Sequence, residues 1–168
     1  TLNTTGAQNT SVGRGSLGSN TTASNNTAVG DMALNANTTG AENTALGASA
    51  LDANTTGDYN VALGSDALGS NTTADNNTAV GRSALAANTT GTANAAFGRA
   101  ALGANTTASY NTAIGAFALD SPTTAEYNTS VGYQSLTTVS TGQYNVAVGS
   151  NAGLVLTTGG DNVAIGHG

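Results

Sequence analysis

The chain contains no cysteine, no tryptophan and no lysine, and its only proline is Pro122. Without cysteine there are no disulfide staples and no thiolate-bound zinc. Arg14, Arg82 and Arg99 are the whole basic complement against nine acidic residues, for a net charge of −6. A nucleic-acid footprint needs a basic patch, so none is expected. Charged residues of all kinds make up 7% of the chain, against roughly a quarter in an average protein. Apolar runs stay far short of the ~18 residues of a helical membrane span, so no membrane insertion is expected. No stretch reads as an export signal, which is expected to lie outside this chain.

What is present is Thr, Asn, Ala and Gly, with 23 glycines in 168 residues. Such bias can mark disorder, but disordered segments carry high net charge and few β-branched residues. Here Thr, Val and Ile return at fixed intervals. The segment Asn20 to Ala36 reads NTTASNNTAVGDMALNA, and Asn37 to Ala53 reads NTTGAENTALGASALDA. The period is 17 residues without insertion, and ten copies begin at Asn3, Asn20, Asn37, Asn54, Asn71, Asn88, Asn105, Pro122, Val139 and Leu156. The whole of 1–168 is thus a single repeat domain.

Numbering each unit from 1 to 17 separates fixed from free positions. Position 3 is always Thr, from Thr5 to Thr158, and position 11 always Gly, from Gly13 to Gly166. Position 7 is always Asn: Asn9, Asn26, Asn43, Asn60, Asn77, Asn94, Asn111, Asn128, Asn145 and Asn162. Position 9 is Ala or Ser, and position 10 is bulky and apolar throughout. Position 15 is Leu in the first eight copies, from Leu17 to Leu136.

A unit of 17 residues is too short for the helix pairs of common α-solenoids, and a glycine in every unit disfavours helix. The Asn-Thr-Ala-Val-Gly segment alternates like a short strand, with positions 8 and 10 on one face and position 9 on the other. Gly at position 11 is suited to a tight bend at positive φ. Ala-Leu at positions 14 and 15 is expected to open a second strand, and position 4 to make the return turn. The expected fold is an all-β parallel β-solenoid, a β-roll of 17 residues per coil and about ten coils. Stacking at the usual strand spacing gives a rod of roughly 48 Å. The invariant Asn is expected to form a ladder of side-chain amides, each donating to the next coil, and the Thr at position 3 a ladder of hydroxyls. With positions 10 and 15 as the only large core residues, a lone coil stack has a thin core. An apolar outer face shared with other copies is therefore expected, with a trimer as the predicted state.

Segments such as NTAVGRSAL (Asn77 to Leu85) and DNVAIG (Asp161 to Gly166) resemble the head repeats of YadA-like trimeric autotransporter adhesins. The 17-residue form, with NTT joining the units, is similar to repeats of phage tail fibres and fibre-like bacterial surface proteins. The resemblance spans the chain. It implies a left-handed β-roll in a trimer, located outside the cell or on a virion tail fibre.

Few residues are candidates for chemistry. The single histidine, His167, lies near the end of the last unit with no partners for a triad or metal site. Acidic residues are scattered over the unit, and Gly159-Gly160-Asp161 is an isolated near-match to calcium-binding rolls, so no metal or other cofactor is expected. Tyr59, Tyr110, Tyr127 and Tyr144 share position 6 and, with Tyr133, form a candidate glycan-contacting stripe, since aromatic faces suit sugars. Arg14, Arg82 and Arg99 share position 12 and are candidate ligand contacts on a solvent-facing edge. The seven Asn-Thr-Thr runs from Asn3 to Asn105 match a glycosylation sequon but are read as structural turns.

These readings favour a structural or adhesive fibre shaft over an enzyme, contacting host or cell-surface glycans. Two alternatives are an ice-binding solenoid and a self-assembling filament subunit stacked end to end. Against ice binding, adjacent Thr-Thr side chains point to opposite faces. The absence of distinct caps in the repeat leads to the expectation that the chain is a fragment of a longer fibre or stacks on its own copies.

Overall fold

The computed structural model describes residues 2–121 and 124–168. Each unit contributes one three-residue strand covering positions 8 to 10. The strands are β1 (Thr10–Val12), β2 (Thr27–Val29), β3 (Thr44–Leu46), β4 (Val61–Leu63), β5 (Thr78–Val80), β6 (Ala95–Phe97), β7 (Thr112–Ile114), β8 (Thr129–Val131), β9 (Val146–Val148) and β10 (Val163–Ile165). They pair in parallel and in sequence order as one ten-stranded sheet. Register is a shift of one period at every step, as in Thr27↔Thr44, Ala28↔Ala45 and Val29↔Leu46. The result is a β-solenoid of about nine turns, about 17 residues per turn, with no helix among the described residues.

The expected second strand is not formed among the described residues. Positions 12 to 17 run as turns instead. The cause lies in the backbone: positions 13 and 15 sit at positive φ, as at Ser49 (53°) and Leu51 (55°), or Ser83 (58°) and Leu85 (51°). Alternating left-handed residues cannot extend into a strand. Position 6 is left-handed as well, from Gln8 (58°) through Tyr110 (62°) to Asp161 (59°). A left-handed residue other than glycine is disfavoured by roughly 1–2 kcal/mol. The coil accepts three per turn because they fold the chain back under the sheet.

The core is narrower than the sequence reading expects: the leucine of position 15 lies in it as expected, from Leu17 to Leu136, but position 10 does not. Position 9 of the strand points inward, and positions 14 and 15 come up to meet it. In the second coil Ala28, Ala33 and Leu34 are all fully buried, and Ala79, Ala84 and Leu85 repeat this in the fifth. Position 10, expected in the core, faces outward: Val12, Leu46, Phe97 and Ile114 are exposed. The reason is strand alternation. Once the small position 9 is inside, its larger neighbours at 8 and 10 must both lie outside. Two units carry Ser at both 9 and 14. There the hydroxyls pair across the coil, with Ser11 Oγ and Ser16 Oγ 2.6 Å apart and Ser130 hydrogen-bonded to Ser135. An inward hydroxyl thus meets a partner and is not left orphaned.

Glycine at position 11 is required by contact as well as by conformation. Gly81 has φ 129°, and a Cβ there would stand 2.6 Å from the carbonyl oxygen of Gly98 in the next coil. The backbones of successive coils touch at this corner, so no side chain fits between them.

Candidate functional site

Two asparagine columns run down the solenoid, one on each side of the position 4 corner. The column at position 7 bonds to backbone at every step, and the expected amide-to-amide bonds join it over part of its length, from Asn94 to Asn77, Asn128 to Asn111, Asn145 to Asn128 and Asn162 to Asn145, at 3.2, 3.4, 3.1 and 2.9 Å. Asn60 Oδ1 accepts from the backbone N–H of Asn77 at 3.0 Å, and Asn60 Nδ2 donates to the carbonyl of Ala74 at 2.8 Å. Both partners belong to the next coil, and the pattern repeats from Asn9 to Asn145. Asn26, Asn43, Asn60, Asn77, Asn94, Asn111, Asn128 and Asn145 are buried, while Asn9 and Asn162 in the outer coils are half-buried. An amide is suited to this role because it carries donor and acceptor at once.

The second column, at position 1, was read from sequence only as a turn. Here side chain bonds to side chain along the whole column: Asn71 Nδ2 donates to Asn54 Oδ1 at 2.9 Å and to the carbonyl of Ala74 at 3.0 Å. The chain of bonds runs from Asn3 to Asn105. Asn20, Asn37, Asn54, Asn71, Asn88 and Asn105 are at most 2% exposed, so their sequons are closed to modification in the folded chain. The signal for this ladder was present as seven Asn recurrences, but the last three units replace it with Pro122, Val139 and Leu156.

The hydroxyl ladder lies one residue away from its expected place. Threonine at position 2 carries it, as in Thr38 Oγ1 to the carbonyl of Thr55 at 3.0 Å and Thr55 Oγ1 to that of Thr72 at 2.9 Å. The invariant Thr at position 3 is exposed in all ten units.

The candidate tyrosines fall into separate groups. Tyr110, Tyr127 and Tyr144 form one stack along the fibre axis, with ring centroids 4.9 and 5.0 Å apart and planes within 5° and 9° of parallel. The one-period rise of the coils sets this spacing. Burial among its neighbours pushes the Tyr127 hydroxyl above its ordinary pKa, helped by the rings and carboxylate beside it. Tyr59 lies in the same column but has Glu42 and Asn76 above and below it in the sequence register, and it is exposed. Tyr133 lies in the position 12 column instead, edge-on to Phe117 at 6.4 Å.

The arginines are likewise split. Arg14 forms a two-point ion pair with Asp31 in the next coil, Nε to Oδ1 at 2.9 Å and Nη2 to Oδ2 at 2.8 Å. Its hydrogen bond with Arg14 lowers the pKa of Asp31. Arg99 lies over the Phe117 ring at 4.4 Å, and among the described residues neither it nor Arg82 has an ion pair. No group of three or more His, Asp or Glu is placed to hold a metal among the described residues. A depression of about 200 Å³ lined by Asn3, Asn9, Ser11, Leu17 and Asn20 contains no titratable side chain. No helix among the described residues is long and apolar enough to cross a membrane.

The largest continuous feature is the outward face of the sheet. Positions 8 and 10 of all ten strands lie on it, giving one column rich in threonine and one column of Val, Leu, Ile and Phe. Val12 is 57% exposed, Leu46 49% and Ile114 43%. No protein-family model, no curated protein and no solved structure matches this chain.

Proposed function

We propose that the chain is a segment of an extracellular structural fibre, and that copies of it assemble side by side, as a trimer, through the outward face of the sheet. The observation that carries this reading is the unbroken column of large apolar side chains at position 10, exposed or half-buried on the outside of a rod whose own core holds only two small residues and one leucine per coil. Monomeric proteins rarely leave contiguous apolar patches of this kind uncovered. Closely spaced β-branched side chains on a flat sheet suit packing against a second, identical sheet. A function resting on shape and adhesion, without catalysis, is consistent with an arrangement in which polar groups serve the coil-to-coil ladders.

The test is the mass of the purified chain by sedimentation or light scattering at micromolar concentration. A trimer is expected. Leu63→Asp and Val80→Asp together should convert it to a folded monomer, because a charge on this face blocks the packing without entering the core. A wild-type chain that is folded and monomeric overturns the reading.

A further inference from the structure

The position 6 column contains a vacancy for one ring. Tyr144, Tyr127 and Tyr110 stack face on face, and the stack stops at Tyr110 because the preceding coil carries Ala93. Ala93 is the only residue in the column whose side chain ends at Cβ; the others are Gln8, Asn25, Glu42, Tyr59, Asn76, three tyrosines and Asp161. Two coil spacings, about 10 Å, therefore separate the Tyr110 ring from the next extended side chain, Asn76. Tyr110 is 52% exposed against 43% for Tyr127 inside the stack. One face of an aromatic ring is thus open to solvent above a gap one ring deep.

The rim of the gap is polar. Position 5 of the three coils around it holds Asp75, Thr92 and Ser109, all half-buried. Asp75 Oδ1 accepts the backbone N–H of Asp58 at 2.7 Å, which turns its carboxylate to the preceding coil and away from the gap. Ser109 Oγ accepts the backbone N–H of Thr92 at 3.0 Å and lies 3.4 Å from the Thr92 hydroxyl.

We propose that Tyr110, Ala93 and the Thr92 and Ser109 hydroxyls beside them form a binding site for a single neutral pyranose ring. A pyranose has an apolar C–H face that lies on an aromatic ring and hydroxyls that bond to hydroxyls beside it. The stack itself sets ring centroids about 5 Å apart, the spacing of a puckered ring lying on a flat one. Charge selects the class: the net charge of −6 repels a carboxylated or sulfated sugar. Asn76 closes the gap on the far side with an amide that can donate or accept. The proposal rests on the reading of the chain as a surface-exposed fibre and adds the chemical class of what it contacts.

The chain has no tryptophan, so its ultraviolet emission comes from tyrosine alone and reports directly on these rings. The experiment titrates methyl β-glucopyranoside, methyl β-galactopyranoside and methyl N-acetyl-β-glucosaminide into the full chain, up to about 50 mM, well past a ~1 mM Kd. Tyrosine emission and saturation-transfer NMR are the readouts. At least one sugar should give a saturable change, and Tyr110→Ala should weaken it at least tenfold. Ala93→Tyr should do the same by filling the gap, and it should keep the fold, since tyrosine already adopts the left-handed conformation at positions 110, 127 and 144. Tyr59→Ala should leave binding unchanged. No saturable change with any of the three sugars, or undiminished binding by Ala93→Tyr, overturns the site. Sedimentation of the same samples scores the trimer separately, so failure of one proposal is distinguishable from failure of the other.

Discussion

Coils two to seven and the last three coils solve the same packing problem in opposite ways. From Asn20 to Asn105 position 1 is a buried amide ladder. In the last three units the same position holds Pro122, Val139 and Leu156, with Val139 fully buried and Leu156 partly so. The ladder does not fade between the two regimes. It stops at Asn105, whose Oδ1 is buried without a hydrogen-bond partner; in the sequence the next unit carries Pro122 at this position, a residue with no N–H and no side-chain donor that lies outside the described residues. A ladder is stable only while every rung has a neighbour, and its first missing rung leaves an orphan oxygen. Beyond that point an apolar column is the better filling, because a valine asks nothing of the coils on either side. The position 7 column shows the contrast within one coil: it bonds to backbone, which every residue supplies, and continues to Asn162.

The strongest way to break the central coils is at their glycine corner. Gly81→Ala would place a Cβ 2.6 Å from the Gly98 carbonyl oxygen on a backbone at φ 129°. A loss of about 4 kcal/mol is expected, from backbone strain and overpacking together. Gly166→Ala in the last coil meets nothing within 4 Å, so only the conformational strain of about 1–2 kcal/mol remains. Denaturant melts of the two variants measure the difference.

Next in size are the ladders. Asn77→Ala removes the acceptor for Asn94 N–H and the donor to the Gly91 carbonyl, leaving two buried backbone groups unpaired at about 3 kcal/mol. Its exposed neighbour Asn76→Ala should cost less than about 1 kcal/mol. Val139→Asn sharpens the regional contrast. It restores the central residue where Pro122 and Leu156 give it no rung above or below, and should destabilise by about 2 kcal/mol. If Val139→Asn proves neutral in thermal melts, the last coils do not differ from the central ones in the way described.

The smallest effect is a pH dependence. Asp52 and Asp120 share position 16, in the third and seventh coils, and partial burial raises the pKa of both, with the charge of Asp66 adding to it at Asp52. A carboxyl whose folded pKa is raised binds its proton more tightly folded than unfolded. Its stabilisation is full below the unfolded value, near 3.9, and lost as pH rises through the raised folded value. Acidification from pH 7 to about 4 should therefore raise the melting temperature slightly. Asp31 shifts the other way, but its ion pair with Arg14 is exposed and contributes little. The double variant Asp52→Asn, Asp120→Asn should be more stable at pH 7 and flat across this range.

The repeat was legible because stacking converts one structural demand into ten identical residues. Period, parallel pairing and a buried Asn at position 7 follow from Asn9 through Asn162 alone. The ladder at position 1 was as regular over seven units, but an Asn-Thr-Thr run also reads as a turn, and nothing in the letters separates a buried amide from an exposed one. The sequence by itself therefore determined the 17-residue period, the parallel strand at positions 8 to 10 and the glycine corner, since each needs one residue type at one place in every turn, whereas the loss of the expected second strand was decided by the left-handed backbone at positions 13 and 15. Tertiary structure decided which side of the strand is the core. Ala28 and Val29 alternate either way; the left-handed turn at Met32 and Leu34 brings leucine under the alanine and turns the valine outward. Apart from Gly15 and Gly153 those left-handed residues are not glycine, and many are Met, Leu, Ser or Tyr, so local preference announces few of them. They are imposed by closure of the coil, a condition that involves all 17 residues at once.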